Sequence, residues 1–307
     1  MSIYGLFARK GPSGFSYRST AEQVTEGVSL AGKTVLLTGC NTGLGLEAMR
    51  VLVLRGAKVF GAARSLDKAE PACARVGGET VPLACELSEP SSVRACVEAV
   101  NRTGVELDAI ICNAGIMALP RLETKHGYEL QFFTNHIGHF ILVTGLLDQL
   151  SPSARVVMVS SDLHKMAPKV GIELDNLDGA KGYRPWRNYG QSKLANILFA
   201  KQLAHRFAGT ARTANAVHPG VIATSLNRHM NPIVSALQRV AAPLFLKSIP
   251  QGAATEVFVA THPSVAGVSG QYFADCNVAA PSALAKDAGL AGRLWNVSER
   301  IVAEVTA

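Results

Sequence analysis

The chain has 307 residues, 48% of them hydrophobic and 17% charged. That is enough apolar material for one large core, which excludes a disordered or fibrous chain. The net charge of +7 comes without a dense Lys/Arg block interleaved with aromatics, so no nucleic-acid partner is expected. A moderately basic balance instead suits an anionic cofactor or surface. No apolar run reaches the roughly 18 residues of a spanning helix, and the start, "MSIYGLFARKGPSGFSYRS", is too polar and glycine-rich for a secretory signal. Cysteines 40, 73, 85, 96, 112 and 276 form no C-x-x-C pair. Buried free thiols in a reducing, cytoplasmic setting follow, with no metal.

Residues 1–30 read as an arm punctuated by Gly, Pro and Ser, with "STAEQVTEGV" as a short helix capped by Ser19 or Thr20. From 31 to 307 the pattern predicts one domain. "KTVLLTG" is an apolar strand, and "LGLEAMRVLVLRGA" is a helix that stops at Gly56. Further strands are "KVFGAAR", "TVPLACEL", "LDAIICNAG", "ARVVMVSS" and "RTANAVHPG", with helices over about 66–76, 89–102, 127–150 and 189–207. "IPQGAATEVFVATH" is a later helix and "VSGQYFAD" a last strand. Strands apolar on both faces, alternating with helices, predict an α/β Rossmann-type, doubly wound parallel sheet of about seven strands.

The first strand meets the first helix at "TGCNTGLG". Gly39, Gly43 and Gly45 permit a tight turn and close approach of backbone to ligand. The loop residues Asn41, Thr42 and Leu44 lead into a helix N-terminus whose free N–H groups suit a pyrophosphate. After the second strand the sequence reads "GAARS". No acid stands there to hold ribose hydroxyls. Arg64, followed by Ser65, offers a guanidinium for a 2′-phosphate, so NADP(H) is expected over NAD(H).

Tyr189 and Lys193 lie four residues apart in "NYGQSK" and share a helical face. An ammonium near a phenol lowers its pKa, and such a phenol can exchange a proton with a carbonyl or alcohol oxygen. Tyr and Lys also fall four apart by chance in many helices, so the spacing alone does not decide. His136 and His139 invite a metal reading, but an i,i+3 pair with no third ligand reads as packing. His218 reads as a strand-end histidine. His164 is a weaker candidate for touching substrate, and Trp186 reads as a loop anchor.

"TGCNTGLG", "CNAG", "VSS", "YGQSK" and "HPG", in this order, resemble the short-chain dehydrogenase/reductase family over roughly residues 32 to 275. "NHIGHF", "VSSDLH", "YGQSKLANILFA" and "VHPGVIAT" resemble its retinol-dehydrogenase-like branch, and the flanks resemble plant chloroplast inner-envelope members associated with the protein translocon. The resemblance implies Tyr189 as acid/base and Lys193 as its modulator and ribose ligand. It implies Ser161 as the group that orients the substrate oxygen, and Asn135 as holder of a water leading to Lys193. Asn113, Ala114 and Gly115 would line the cofactor. Pro219, Gly220 and Thr224 would meet the nicotinamide end, and Glu86 and Leu87 the adenine. Glu86 replaces the usual Asp, and Cys112 the usual first Asn of the "NNAG" motif.

The long segment between Ser161 and Tyr189 would form one wall of the substrate pocket. A lid over residues 225–249, with Met230, Ile233, Leu237, Val240, Leu244 and Leu246 apolar, would form the other. An apolar lid implies a lipophilic aldehyde or ketone, or the matching alcohol. By family analogy copies would pair as homodimers or homotetramers through the helices at 127–150 and 189–207. Two alternatives stand: an NADPH-binding redox-sensing scaffold with incidental catalysis, motivated by an arm the chemistry does not need, and a light-dependent tetrapyrrole reductase. Phe7, Arg9, Lys10, Phe15 and Arg18 also give the arm an apolar–basic mixture that could rest on an anionic membrane, against the plainer expectation of a packed arm.

Overall fold

The computed structural model describes residues 9–222 and 246–306. Its parallel strands are β1 (Thr34–Thr38), β2 (Lys58–Ala63), β3 (Thr80–Ala84), β4 (Leu107–Cys112), β7 (Leu150–Val159), β8 (Thr213–His218) and β9 (Tyr272–Ala274). A two-residue strand, β10 (Asn277–Val278), pairs antiparallel with β9. The order is β10-β9-β8-β7-β4-β1-β2-β3. Among the described residues the sheet thus has the expected seven parallel strands and one short antiparallel edge strand, added where the chain doubles back through Asp275 and Cys276. A separate hairpin joins β5 (Thr124–Lys125) to β6 (Tyr128–Glu129).

Winding reverses between β1 and β4, the switch point at which open α/β sheets bind ligands beyond their strand ends. The helices are α1 (Gly43–Leu54), α2 (Leu66–Val76), α3 (Pro90–Asn101), α4 (Leu130–Phe132), α5 (Gly138–Gly145), α6 (Pro185–Arg206), α7 (Ile249–Thr261) and α8 (Ala288–Thr306). One apolar cluster joins α3, α5, α6 and α8 to the sheet. The other joins α1, α2 and α7 to the opposite face, together with Ala21, Val24 and Leu30 of the arm. All six cysteines are free and buried, as expected.

Three expectations need correction. The helix expected over 127–150 starts later, because Tyr128 and Glu129 pair as a strand, and a π turn at Phe133–Ile137 separates α4 from α5. The helix expected at 189 starts at Pro185, since proline suits a first helical position. In place of the short helix expected in "STAEQVTEGV", a 3₁₀ turn forms at Gln23–Thr25, with Thr20 and Gln23 bonding each other reciprocally through side chain and backbone.

The arm is docked on the fold. Ala21 N–H donates to the Pro250 carbonyl at 2.9 Å, and the Phe15 ring meets Phe258 edge-on at 5.5 Å. Phe15 is therefore turned inward, while Arg9, Lys10 and Arg18 are exposed. No helix among the described residues is long and apolar enough to cross a membrane.

The chain's own α8 packs on α5 and α6, the helices expected to pair copies. Trp295 packs against Phe140 at 4.9 Å and Phe199 at 5.7 Å, the Arg206 guanidinium lies 3.8 Å over its ring, and Ser298 bonds His136 at 2.8 Å.

Candidate active site

The residues singled out from sequence converge on the carboxyl ends of the strands. After β1, Gly39 takes φ +73°, a conformation that favours glycine, and its N–H donates to the Ala62 carbonyl at 2.8 Å. A Cβ on Gly45 would lie 2.1 Å from the Gly39 carbonyl oxygen and 2.6 Å from Asn113 Nδ2, so strand end and helix start meet only because Gly45 has no side chain. Thr42 occupies the N-cap of α1 without a side-chain cap bond, and the first turn holds no acid. The helix end therefore fits an anion, as a pyrophosphate-bearing cofactor needs. Asn113 donates to the Thr38 carbonyl at 2.9 Å and the Ala114 N–H to Thr38 Oγ1 at 3.0 Å, which fixes the β4 end against the loop.

Arg64 and Ser65 follow β2, and Glu86 and Leu87 follow β3. Arg64 Nε lies 3.2 Å from Glu86 Oε2, and Glu86 Oε1 accepts from Ser88. Two residues expected at different parts of the cofactor thus face each other. Ser65 is the N-cap of α2 and makes no side-chain cap bond. Leu87 is buried, and its carbonyl would clash with any Cβ on Gly138.

Tyr189 and Lys193 lie one turn apart on α6, both buried. Lys193 Nζ is 5.7 Å from the Tyr189 ring centroid and donates to the Val159 carbonyl at 3.0 Å. Burial pushes the Tyr189 phenol above its ordinary range, with Ser161 partly opposing the shift, and lowers Lys193 to about 8. The shared face expected from the spacing is present, and in the chain alone desolvation is the largest influence on the phenol.

Ser160 is tied down by a 2.7 Å bond to the Lys193 carbonyl, whereas Ser161 caps the next turn and faces Tyr189. Asn135 sits within the π turn. Its side chain accepts from Ile116 N–H at 2.8 Å and donates to the Ile116 carbonyl and Ser192 Oγ, each at 2.9 Å. A Cβ on Gly115 would come 2.9 Å from Asn135 Oδ1 and 3.4 Å from Lys193 Nζ, so a side chain there would crowd both. Pro219 and Gly220 follow β8, with Gly220 at φ +93°. Thr224, the lid residues 225–245 and Phe7 lie outside the described residues.

The histidines singled out from sequence make hydrogen bonds within the fold. His139 bridges Thr38 Oγ1 at 2.9 Å and the Asn135 carbonyl at 3.0 Å. His136 Nε2 lies 2.8 Å from Ser298 Oγ, and no metal-holding cluster occurs among the described residues. His164 donates from Nδ1 to the Ser161 carbonyl at 2.7 Å and accepts at Nε2 from Ser282 N–H at 3.0 Å, so neither nitrogen is left for substrate. His218 Nδ1 accepts from Asp162 N–H, and the Trp186 ring is at the surface. Sequence reasoning missed the supporting roles of Thr38, Ser192 and Asn196, which shares the Val159 carbonyl with Lys193. Only contacts between distant segments reveal them.

The family model described as short chain dehydrogenase matches residues 33–233. Short-chain dehydrogenase TIC 32 B, chloroplastic, from Brassica napus is 40% identical over 98% of this chain and 99% of its own length. Retinol dehydrogenase 12 from Mus musculus is 40% identical over 89% of this chain and 87% of its own. The crystal structure of an uncharacterized protein from Mycobacterium paratuberculosis superposes with a TM-score of 0.74 at 34% identity, covering 90% of this chain and 95% of that one. Fold, switch-point site and relatives agree: the chain belongs to the short-chain dehydrogenase family of oxidoreductases.

Proposed function

We propose that the chain is an NADP(H)-dependent oxidoreductase that interconverts a lipophilic aldehyde or ketone and its alcohol. The observation that carries this reading is the enclosed Tyr189–Lys193 pair on α6, facing Ser161 at the switch point, with Gly115 close beside Lys193 and Asn135. A bound nicotinamide would supply or accept the hydride. Its pyrophosphate would rest on the uncapped start of α1, with Arg64 and Ser65 holding the 2′-phosphate, Glu86 and Leu87 beside the adenine, and Pro219 and Gly220 at the nicotinamide end.

The protein's own part is proton handling and orientation. Ser161 and the Tyr189 hydroxyl donate hydrogen bonds to the carbonyl oxygen, and these strengthen as it gains negative charge. Tyr189 then gives its proton to that oxygen. A phenol that burial keeps protonated suits this donation. Lys193, anchored to the Val159 carbonyl, would hold the ribose, and Asn135 would lead replacement protons toward it. A lipophilic substrate is supported by the apolar residues of the lid sequence and by relatives named for retinol.

The test is single-turnover oxidation of prebound NADPH across a panel of aldehydes and ketones, with Tyr189→Phe as control. Turnover of the variant within about threefold of wild type would overturn the role of Tyr189, since a general acid contributes roughly 10²–10⁴.

A further inference from the structure

Lys247 is a buried cation with three unlike neighbours drawn from distant parts of the chain. Its side chain is 1% exposed, and its Nζ lies 2.6 Å from Asp275 Oδ1 and 5.0 Å from the centre of the Tyr17 ring. Its methylenes lie under Gly220: a Cβ there would come 2.6 Å from Lys247 Cδ and 3.0 Å from Cε. The backbone is locked to the same turn, since Lys247 N–H donates to the Val221 carbonyl at 2.9 Å and the residue bridges Ile222. A buried ammonium is costly unless paired. Asp275 supplies the counter-charge and Tyr17 a ring face.

Each partner is itself fixed. Asp275 and Cys276 have φ of +51° and +62°, two consecutive left-handed residues that make the β9–β10 turn, and Cys276 N–H donates to Thr255 Oγ1 at 3.2 Å. Tyr17 arrives on the arm, which Asn277 grips. Ser13 N–H donates to Asn277 Oδ1 at 3.0 Å, and Asn277 Nδ2 donates to the Phe15 carbonyl at 3.2 Å. Gly11 fits only because it has no side chain, as a Cβ would meet the Asn277 amide at 2.4 Å.

We propose that Lys247 is a positioning residue for the Pro219–Gly220 turn, and that Tyr17 makes the arm part of the nicotinamide end of the cofactor site. This rests on the reading above that the nicotinamide lies against that turn. Ion pair, ring and methylenes together hold Gly220 in its left-handed conformation. The arm thereby acquires a role in the chemistry that its sequence does not suggest.

The test compares NADPH with adenosine 2′,5′-bisphosphate, a fragment that carries the Arg64 end of the cofactor and no nicotinamide. Dissociation constants are measured by titration for wild type, Lys247→Met, Tyr17→Leu and Tyr17→Phe. The expected result is NADPH binding weakened about tenfold or more in Lys247→Met and Tyr17→Leu, with the bisphosphate unchanged. Tyr17→Phe, which keeps the ring face over Lys247, should weaken NADPH less than Tyr17→Leu does and leave the bisphosphate unchanged. If Lys247→Met does not fold, Tyr17→Leu against Tyr17→Phe carries the comparison. Equal weakening of both ligands would mean general damage and overturn the inference, as would unchanged NADPH binding in both variants. A wild type that binds the bisphosphate but gains nothing from the nicotinamide half of NADPH would overturn the underlying reading, and the inference with it.

Discussion

Arg64 and Glu86 face each other across the ends of β2 and β3, 3.2 Å apart, so the guanidinium expected to recognise a 2′-phosphate already has a carboxylate partner. Cofactor choice then depends on a competition. Arg64→Ala should narrow the preference for NADPH over NADH by about tenfold to a hundredfold, the worth of a charge-assisted contact. Glu86→Gln should widen it by up to about fivefold, since an exposed ion pair is worth at most about 1 kcal/mol. Titration of both cofactors against the three proteins checks this, and equal wild-type affinities would remove the NADP(H) assignment.

Tyr189→Phe keeps the ring and removes only the hydroxyl. Cofactor affinity should hold while turnover falls by roughly 10²–10⁴. Lys193→Arg should fail as well, because a planar guanidinium cannot replace a compact ammonium seated on the Val159 carbonyl. Alcohol oxidation requires the phenolate, which burial disfavours, so its rate should climb with pH through the alkaline range while reduction does not share that rise. Initial rates in both directions over a pH series test this.

The α8 helix protects the α5–α6 face through one aromatic stack. Trp295 is buried and touches Phe140, Phe199 and Arg206. Trp295→Ala should destabilise the protein by about 3–5 kcal/mol, the range for deleting a large buried aromatic. It should also promote self-association through the uncovered phenylalanines. Urea titration and sedimentation at several concentrations measure the two effects, and a variant as stable and as dispersed as wild type would contradict them.

Much of the fold was legible because its signals are local. Apolar runs ending in glycine mark strands that enter helices, and the core of the sheet follows from them. The Tyr189–Lys193 spacing was legible for the same reason. Their electrostatics were not, because burial depends on every element packed around α6. The π turn at Asn135 left no trace either, since residues 130–145 are apolar enough to suit an unbroken helix. The strand Asn277–Val278 is too short for any period, and the arm's docking rests on Asn277, which is more than 250 residues from Ser13 and Phe15 in sequence. Pairing of copies was expected from analogy, and nothing in the sequence of α8 announced which face it would cover.

Glu256, on α7, is fully buried, and neither carboxylate oxygen has a hydrogen-bond partner among the described residues. Burial raises its pKa from 4.5 to about 8. A raised carboxyl pKa means that the folded state holds a proton the unfolded state has lost. The stabilising effect is therefore complete below about 4.5 and is lost as pH rises toward 8, on the order of 4–5 kcal/mol over that window. His136 and His139 work in the opposite sense. Burial lowers them to about 3 and about 4, so their contribution is complete above 6.5 and is lost as pH falls toward those values. Glu256→Gln removes the titration and leaves the histidines. Its stability should match wild type near pH 4.5 and exceed it by a few kcal/mol at pH 8. Glu256→Leu should exceed both, because it also removes the unsatisfied polar group. Urea unfolding of the three proteins at several pH values reads this directly. Curves for wild type and Glu256→Gln that stay parallel from pH 4.5 to 8 would show that the carboxyl does not titrate in that window.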